Sequence, residues 1–218
     1  MQHYSTHEVA IERASHSVLR NTYSLLALTL AFSGLVAFIS QQLRLPYPGP
    51  LITLAGFYGL MFATVRLRNS GWGLVTTFAL TGFMGYTLGP ILNAYLGMHN
   101  GSSVIASAFA MTALVFGGLS AFVLISRKDM SFLRGFITAG CFVLLAAVLA
   151  SLFFDLSGFQ LAISAGFVLF SSAVILYQTS EIINGGETNY IMATVSLYVS
   201  IYNLFVSLLS ILGVVNND

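Results

Sequence analysis

Charge is what this sequence lacks most. Only eight basic and seven acidic residues occur among 218, so Asp, Glu, Lys and Arg make up 7% of the chain, where a soluble domain carries about 25%. So few charges cannot cover a water-facing surface. No basic run is longer than Arg127-Lys128, and with a formal net charge of +1 the chain has no electrostatic footprint for nucleic acid. The single cysteine, Cys141, leaves no internal disulfide and no Cys-rich metal site. The first 20 residues hold His3, His7, Glu8, Glu12, Arg13, His16 and Arg20. They lack the short apolar core of a cleavable signal peptide, and we read them as a retained polar tail.

Catalytic and nucleotide-binding motifs are missing too. There is no Gly-x-Ser-x-Gly, and His7-Glu8 lacks the second histidine that the zinc-protease helix needs for its metal. Gly117-Gly118 and Gly185-Gly186 are not followed by the lysine of a phosphate-cradling loop. The tail histidines and His99 read as solvated side chains rather than metal ligands. We expect a protein that is not an enzyme and carries no cofactor.

What the sequence has instead is long apolar runs, with 57% hydrophobic residues. Seven spans of about 20 residues use roughly 140 positions, and the rest suffices for two tails and six short connections. An ionised group at a bilayer centre costs at least about 2.5 to 3.5 kcal/mol on insertion scales, so the gaps between charged residues mark the spans. Six long gaps appear, from Asn21 to Leu43, Leu45 to Val65, Asn69 to Ser126, Gly135 to Phe154, Leu156 to Ser180, and Thr188 to Asn217. The third, as one helix, extends roughly 87 Å against a hydrocarbon core of about 30 Å. It therefore holds two spans, divided at the turn formers Gly97-Met98-His99-Asn100-Gly101-Ser102-Ser103. Pro46-Tyr47-Pro48-Gly49-Pro50 and Gly185-Gly186 divide spans one from two and six from seven, and Gly89-Pro90 predicts a bend in span three.

The basic residues give the expected orientation. With seven spans, Arg13, Arg20, Arg66, Arg68, Arg127, Lys128 and Arg134 share one side and Arg44 stands alone on the other. The positive-inside bias predicts a cytoplasmic N-terminus and an external C-terminus. The resulting plan is a polar tail over residues 1–21, a membrane domain over 22–215 and an external end over 216–218. Loop 4–5, with Arg127, Lys128, Asp129 and Arg134, reads as a topology anchor near anionic lipid. Glu181 and Glu187, on the same side, are candidates for attracting cations to that mouth.

Polar groups inside the spans are patterned. Ser196, Ser200, Asn203, Ser207 and Ser210 recur at spacings of 4 and 3, a seam along one face of span seven, and Asn189 and Ala193 extend it. Ser164, Ser171 and Gln178 form a matching face on span six. Gly82, Gly85, Gly89 and Asn93 repeat the spacing on span three, with Pro90 directly after Gly89. Such small and polar residues serve close helix packing and interhelical hydrogen bonding, which places span seven inside an all-α, seven-helix membrane bundle.

The segments Gly82-Phe83-Met84-Gly85-Tyr86-Thr87-Leu88-Gly89-Pro90-Ile91-Leu92-Asn93, Arg127 to Leu133, and Gly185 to Gly213 resemble the Bax inhibitor/YccA family over the full length, on its proteobacterial YccA-like side. The resemblance implies six helices around a central seventh. It also implies one of two roles. Some members are pH-sensitive calcium leak channels with an aspartate pair on spans six and seven. The matching positions here are Gln178 and Ser200, neither of which ionises, so no carboxylate pair can share a proton; Glu181, one turn from Gln178, is the candidate partial substitute. In that role calcium is a transported ion only. The other role, modulation of the membrane-bound protease FtsH as substrate and inhibitor, suits a polar N-terminal tail that a processive protease can engage.

Overall fold

The computed structural model describes residues 2–216, with side chains from Ser15 onward except Ser157; the side chains of His3 and His7, and residues 217–218 of the expected external end, lie outside the described residues. Seven α-helices follow one another: α1 Gln2–Gln42, α2 Pro50–Leu67, α3 Trp72–Leu96, α4 Gly101–Ser126, α5 Leu133–Ala150, α6 Gln160–Ile183 and α7 Tyr190–Val215, with a 3-10 turn at Ser157–Phe159 before α6. Each is long and apolar enough to cross a bilayer, and no strand occurs among the described residues. The chain is a seven-helix, multi-pass membrane protein. Connections are short and end where the backbone demands it. Gly49 and Gly185 adopt φ of 88° and 78°, conformations open mainly to glycine.

Two boundaries differ from the sequence reading. The expected polar tail over residues 1–21 is continuous with the first span, because α1 runs without a break from Gln2 to Gln42. No glycine or proline precedes Gly34, so nothing stops the helix from continuing into the polar residues. Span five ends at Ala150, and residues 151–154 form a turn.

The core lies on α7. Half of its apolar window is buried, against 6% for α2 and for α5. Four helices, α1, α3, α4 and α6, pack substantially on α7, while α2 leans on α3 and α5 on α6. The expected ring of six around the seventh is thus an inner group of five with two outer helices. α1 and α3 are the most closely joined pair, and the α3 glycines explain why. A Cβ at Gly85 runs into the Ser33 carbonyl and one at Gly89 into the Ser40 side chain, while one at Gly82 meets the Phe32 ring at 2.9 Å. Glycine there lets the two backbones approach as membrane helices do at small-residue faces.

Pro90 fits the same seam. It has no N–H to give the carbonyl four residues back, and that carbonyl, of Tyr86, accepts the Ser40 hydroxyl at 2.9 Å instead. α3 therefore continues unbroken to Leu96. One turn on, Gln41 Nε2 donates to Asn93 Oδ1 at 3.2 Å and Asn93 Nδ2 donates back to the Gln41 carbonyl at 3.0 Å.

Candidate functional site

α7 presents polar groups on two faces. The face that the bundle encloses carries Tyr198, 1% exposed, whose hydroxyl lies 2.5 Å from Ser33 Oγ and donates to the Thr81 carbonyl at 3.2 Å. One turn on, the Tyr202 hydroxyl is 3.1 Å from Thr87 Oγ1. Nearer the start of α7, Thr194 Oγ1 bonds within its helix to the Tyr190 carbonyl at 2.7 Å and approaches the Thr22 carbonyl of α1 at 3.2 Å. α1, α3 and α7 are thus tied by buried hydroxyls. The sequence reading missed Tyr198 and Tyr202, because it sought small residues; their signal was two phenols at helical spacing inside an apolar run.

The other face is the seam. It crosses two environments, with Ser200 and Ser207 buried and Ser196, Asn203 and Ser210 half-buried. At its far end Ser210 Oγ receives hydrogen bonds from Ser164 Oγ at 3.1 Å and from Gln160 Nε2 at 3.2 Å. A cavity of about 480 Å³ opens there between α5, α6 and α7, with Ser151, Asp155, Gln160, Ser164, Ser207 and Ser210 on its wall. Asn189 does not extend the seam. It caps α7, its Oδ1 accepting from the Ile191 and Met192 N–H groups at 3.1 Å, the usual N-cap role. Its Nδ2 donates to Asn69 Oδ1 at 2.8 Å and to the Arg68 carbonyl at 3.2 Å, fastening α7 to the α2–α3 turn.

Gln178 and Ser200, the positions of the family aspartates, are both buried but do not hydrogen-bond to each other. The Ser200 hydroxyl donates to the Ser196 carbonyl of its own helix at 2.9 Å, and Gln178 Nε2 has no partner. Buried hydroxyls of Thr22, Tyr23, Ser120, Ser126, Ser171 and Thr179 are likewise without partners. They lie on α1, α4 and α6 and, apart from mid-helix Ser171, near the end of the bundle where the basic residues gather.

At that basic end the α4–α5 loop is docked on α6. Ser180 Oγ accepts the Met130 N–H at 3.0 Å, donates to the Lys128 carbonyl at 3.2 Å and receives Asn184 Nδ2 at 3.1 Å. Arg127 closes α4 in the left-handed conformation, φ 50°, with its N–H on the Val123 carbonyl at 2.8 Å. Asp129 accepts the Ser131 N–H at 2.8 Å. Arg134 donates to the Tyr177 hydroxyl through Nε at 3.0 Å and Nη2 at 2.9 Å, and sits 3.8 Å from Glu181.

Both expected cation-attracting carboxylates are therefore engaged, Glu181 with Arg134 and Glu187 with the Asn189 N–H at 2.8 Å. Glu181 is turned to Arg134 and the Gly186 backbone. No cluster of three or more metal-ligating side chains occurs among the described residues.

Comparison with known proteins agrees with this architecture. Residues 15–217 match the family model for the inhibitor of apoptosis-promoting Bax1. A Pseudomonas aeruginosa protein, named only as uncharacterized, is 77% identical over 96% of this chain and 95% of its own length. The modulator of FtsH protease YccA of Escherichia coli K12 is 56% identical over 98% of this chain and 97% of its own length, and the inner membrane protein YccA of Escherichia coli O6:H1 matches to the same extent. A family model spanning nearly all seven helices, and relatives this similar from end to end, mean that the chain belongs to the Bax inhibitor/YccA family.

Proposed function

We propose that the chain is an inner-membrane modulator of the protease FtsH that is engaged as a substrate and, by resisting extraction, occupies the protease. It is a binding regulator with no catalytic step of its own. The observation that carries this reading is the 56% identity, over 98% of the chain, to a protein named as a modulator of that protease. In this reading the N-terminus lies in the cytoplasm, as the basic residues at that end of the bundle argue.

The structure supports a mechanism. α1 begins within the polar, charge-bearing first 20 residues, which gives a pulling protease a handle outside the membrane. An isolated helical segment of this length is marginal in water, so it can be unwound. Force on it reaches α1, the helix most closely joined to α3 and tied to α7 through Ser33 and Tyr198. Extraction must break that seam in one event, because the glycine contacts and hydrogen bonds lie on one rigid element. The handle invites engagement and the seam opposes its completion.

Deleting residues 2–15 tests this. Turnover by the protease is expected to stop while the thermal midpoint of the purified protein stays unchanged. Unaltered turnover of the truncated chain contradicts the proposal.

A further inference from the structure

A groove runs between α1 and α4, helices that do not pack substantially on each other. Toward the far end it widens into a cavity of about 940 Å³, with Ala31, Gly34 and Ala37 of α1 facing Ala106, Ala110 and Ala113 of α4 over a floor of α7. Its rim is open on the outside of the bundle, where Phe38 and Phe109 are 58% and 69% exposed. The polar groups of this floor are satisfied, since Ser33 and Tyr198 bond to one another and Thr112 bonds to the Ala108 carbonyl at 2.7 Å. Nothing there asks for a polar ligand.

At the basic end the same pair of helices borders a second, open cavity, of about 590 Å³, lined by His16, Ser17, Leu19, Arg20 and Tyr23 of α1 and Leu124 of α4. His16 and Arg20 are one turn apart on one helix face. Among the described residues neither takes part in an ion pair. Tyr23 and Phe116, with ring centroids 6.2 Å apart, stand between the two cavities. The groove is therefore cationic at the membrane interface and predominantly apolar beyond it.

We propose that this groove holds one anionic phospholipid, its phosphate-bearing headgroup at Arg20 and His16 and an acyl chain laid along α1 between the helices. Charge complementarity selects the occupant. A transmembrane helix or a second copy of the chain needs an apolar surface throughout and gains nothing from a cation at one end, whereas an anionic lipid matches both halves. The length agrees as well. Arg20 and Ala31 are 11 positions apart, about 17 Å of helix, against about 15 Å for half of a hydrocarbon core of about 30 Å. The chain thus reaches the mouth of the wide cavity.

The test is native mass spectrometry of the full-length protein in micelles containing equal amounts of phosphatidylglycerol and phosphatidylcholine. The wild type is expected to retain one phosphatidylglycerol in preference. Arg20→Gln lowers that preference about fivefold, the worth of one cation near a membrane surface, while Arg68→Gln, a basic residue at the same end but away from the groove, leaves it unchanged. Gly34→Leu fills the cavity and abolishes lipid retention. A Cβ there meets nothing within 4 Å, so the variant folds, and an unchanged thermal midpoint verifies this. Equal retention of the two lipids by the wild type, or a preference indifferent to Arg20→Gln, overturns the proposal. So does a dimer that Gly34→Leu converts to monomer without loss of lipid, which assigns the groove to a second copy.

Discussion

α5 and α7 are both long, apolar helices, yet 6% of the apolar window of one is buried and 50% of the other. α5 rests on α6 and turns its large side chains outward, with Phe142 and Val143 70% and 66% exposed. α7 meets four helices and is bonded through hydroxyls to three of them, α1, α3 and α6. In a bilayer, lipid tails are as apolar as leucine, so hydrophobicity alone does not draw helices together. Close backbone approach and interhelical hydrogen bonds do, and these are concentrated where α1, α3 and α7 meet. The outer helices carry the fold across the membrane; the inner ones hold it shut.

The sharpest way to break this contrast is to add a side chain where the inner helices touch. Gly85→Val drives a Cβ into the Ser33 carbonyl, an overpacking expected to cost about 2 kcal/mol or more, read as a fall in the thermal midpoint in detergent. The same change at Gly59 of α2, where a Cβ meets nothing within 4 Å, is expected to stay within about 0.5 kcal/mol. Equal losses at the two sites erase the distinction between inner and outer helices.

A smaller effect comes from Tyr198→Phe. It removes the hydroxyl shared with Ser33 and Thr81 at an expected cost of about 1 kcal/mol, whereas Tyr58→Phe on the lipid-facing side of α2, 50% exposed, changes nothing measurable. The smallest effect is at the basic end. Arg134→Gln loses the contacts to Tyr177 and Glu181, but the Arg134 side chain is 71% exposed and exposed pairs contribute little. Its thermal midpoint is expected to match the wild type.

The seven spans were legible because charge is so scarce that each charged residue marks a boundary. The α3 packing face was legible for a related reason, since Gly82, Gly85, Gly89 and Asn93 repeat at helical spacing and every one of them lies against α1. Pro90 was read as a bend because its missing donor is visible in sequence, while the Ser40 hydroxyl that satisfies the freed Tyr86 carbonyl comes from another helix. The outer position of α2 and α5 was illegible, since lipid and protein are equally good neighbours for an apolar side chain. The Ser196–Ser210 seam was visible as a pattern, but periodicity does not reveal that its members divide between a buried interior and a pocket beside Asp155. Asn189 looked like part of that stripe and is a cap, because the start of α7 is set by a turn that spacing does not locate.

The central claim is that the α1–α3–α7 seam is what makes the chain slow to extract. The most direct measurement compares degradation of wild type and Tyr198→Phe by the purified protease in one membrane preparation, alongside degradation of a second membrane substrate. The account predicts that the variant is degraded faster and that the second substrate is spared less. Equal degradation of the two proteins, with equal sparing, contradicts it.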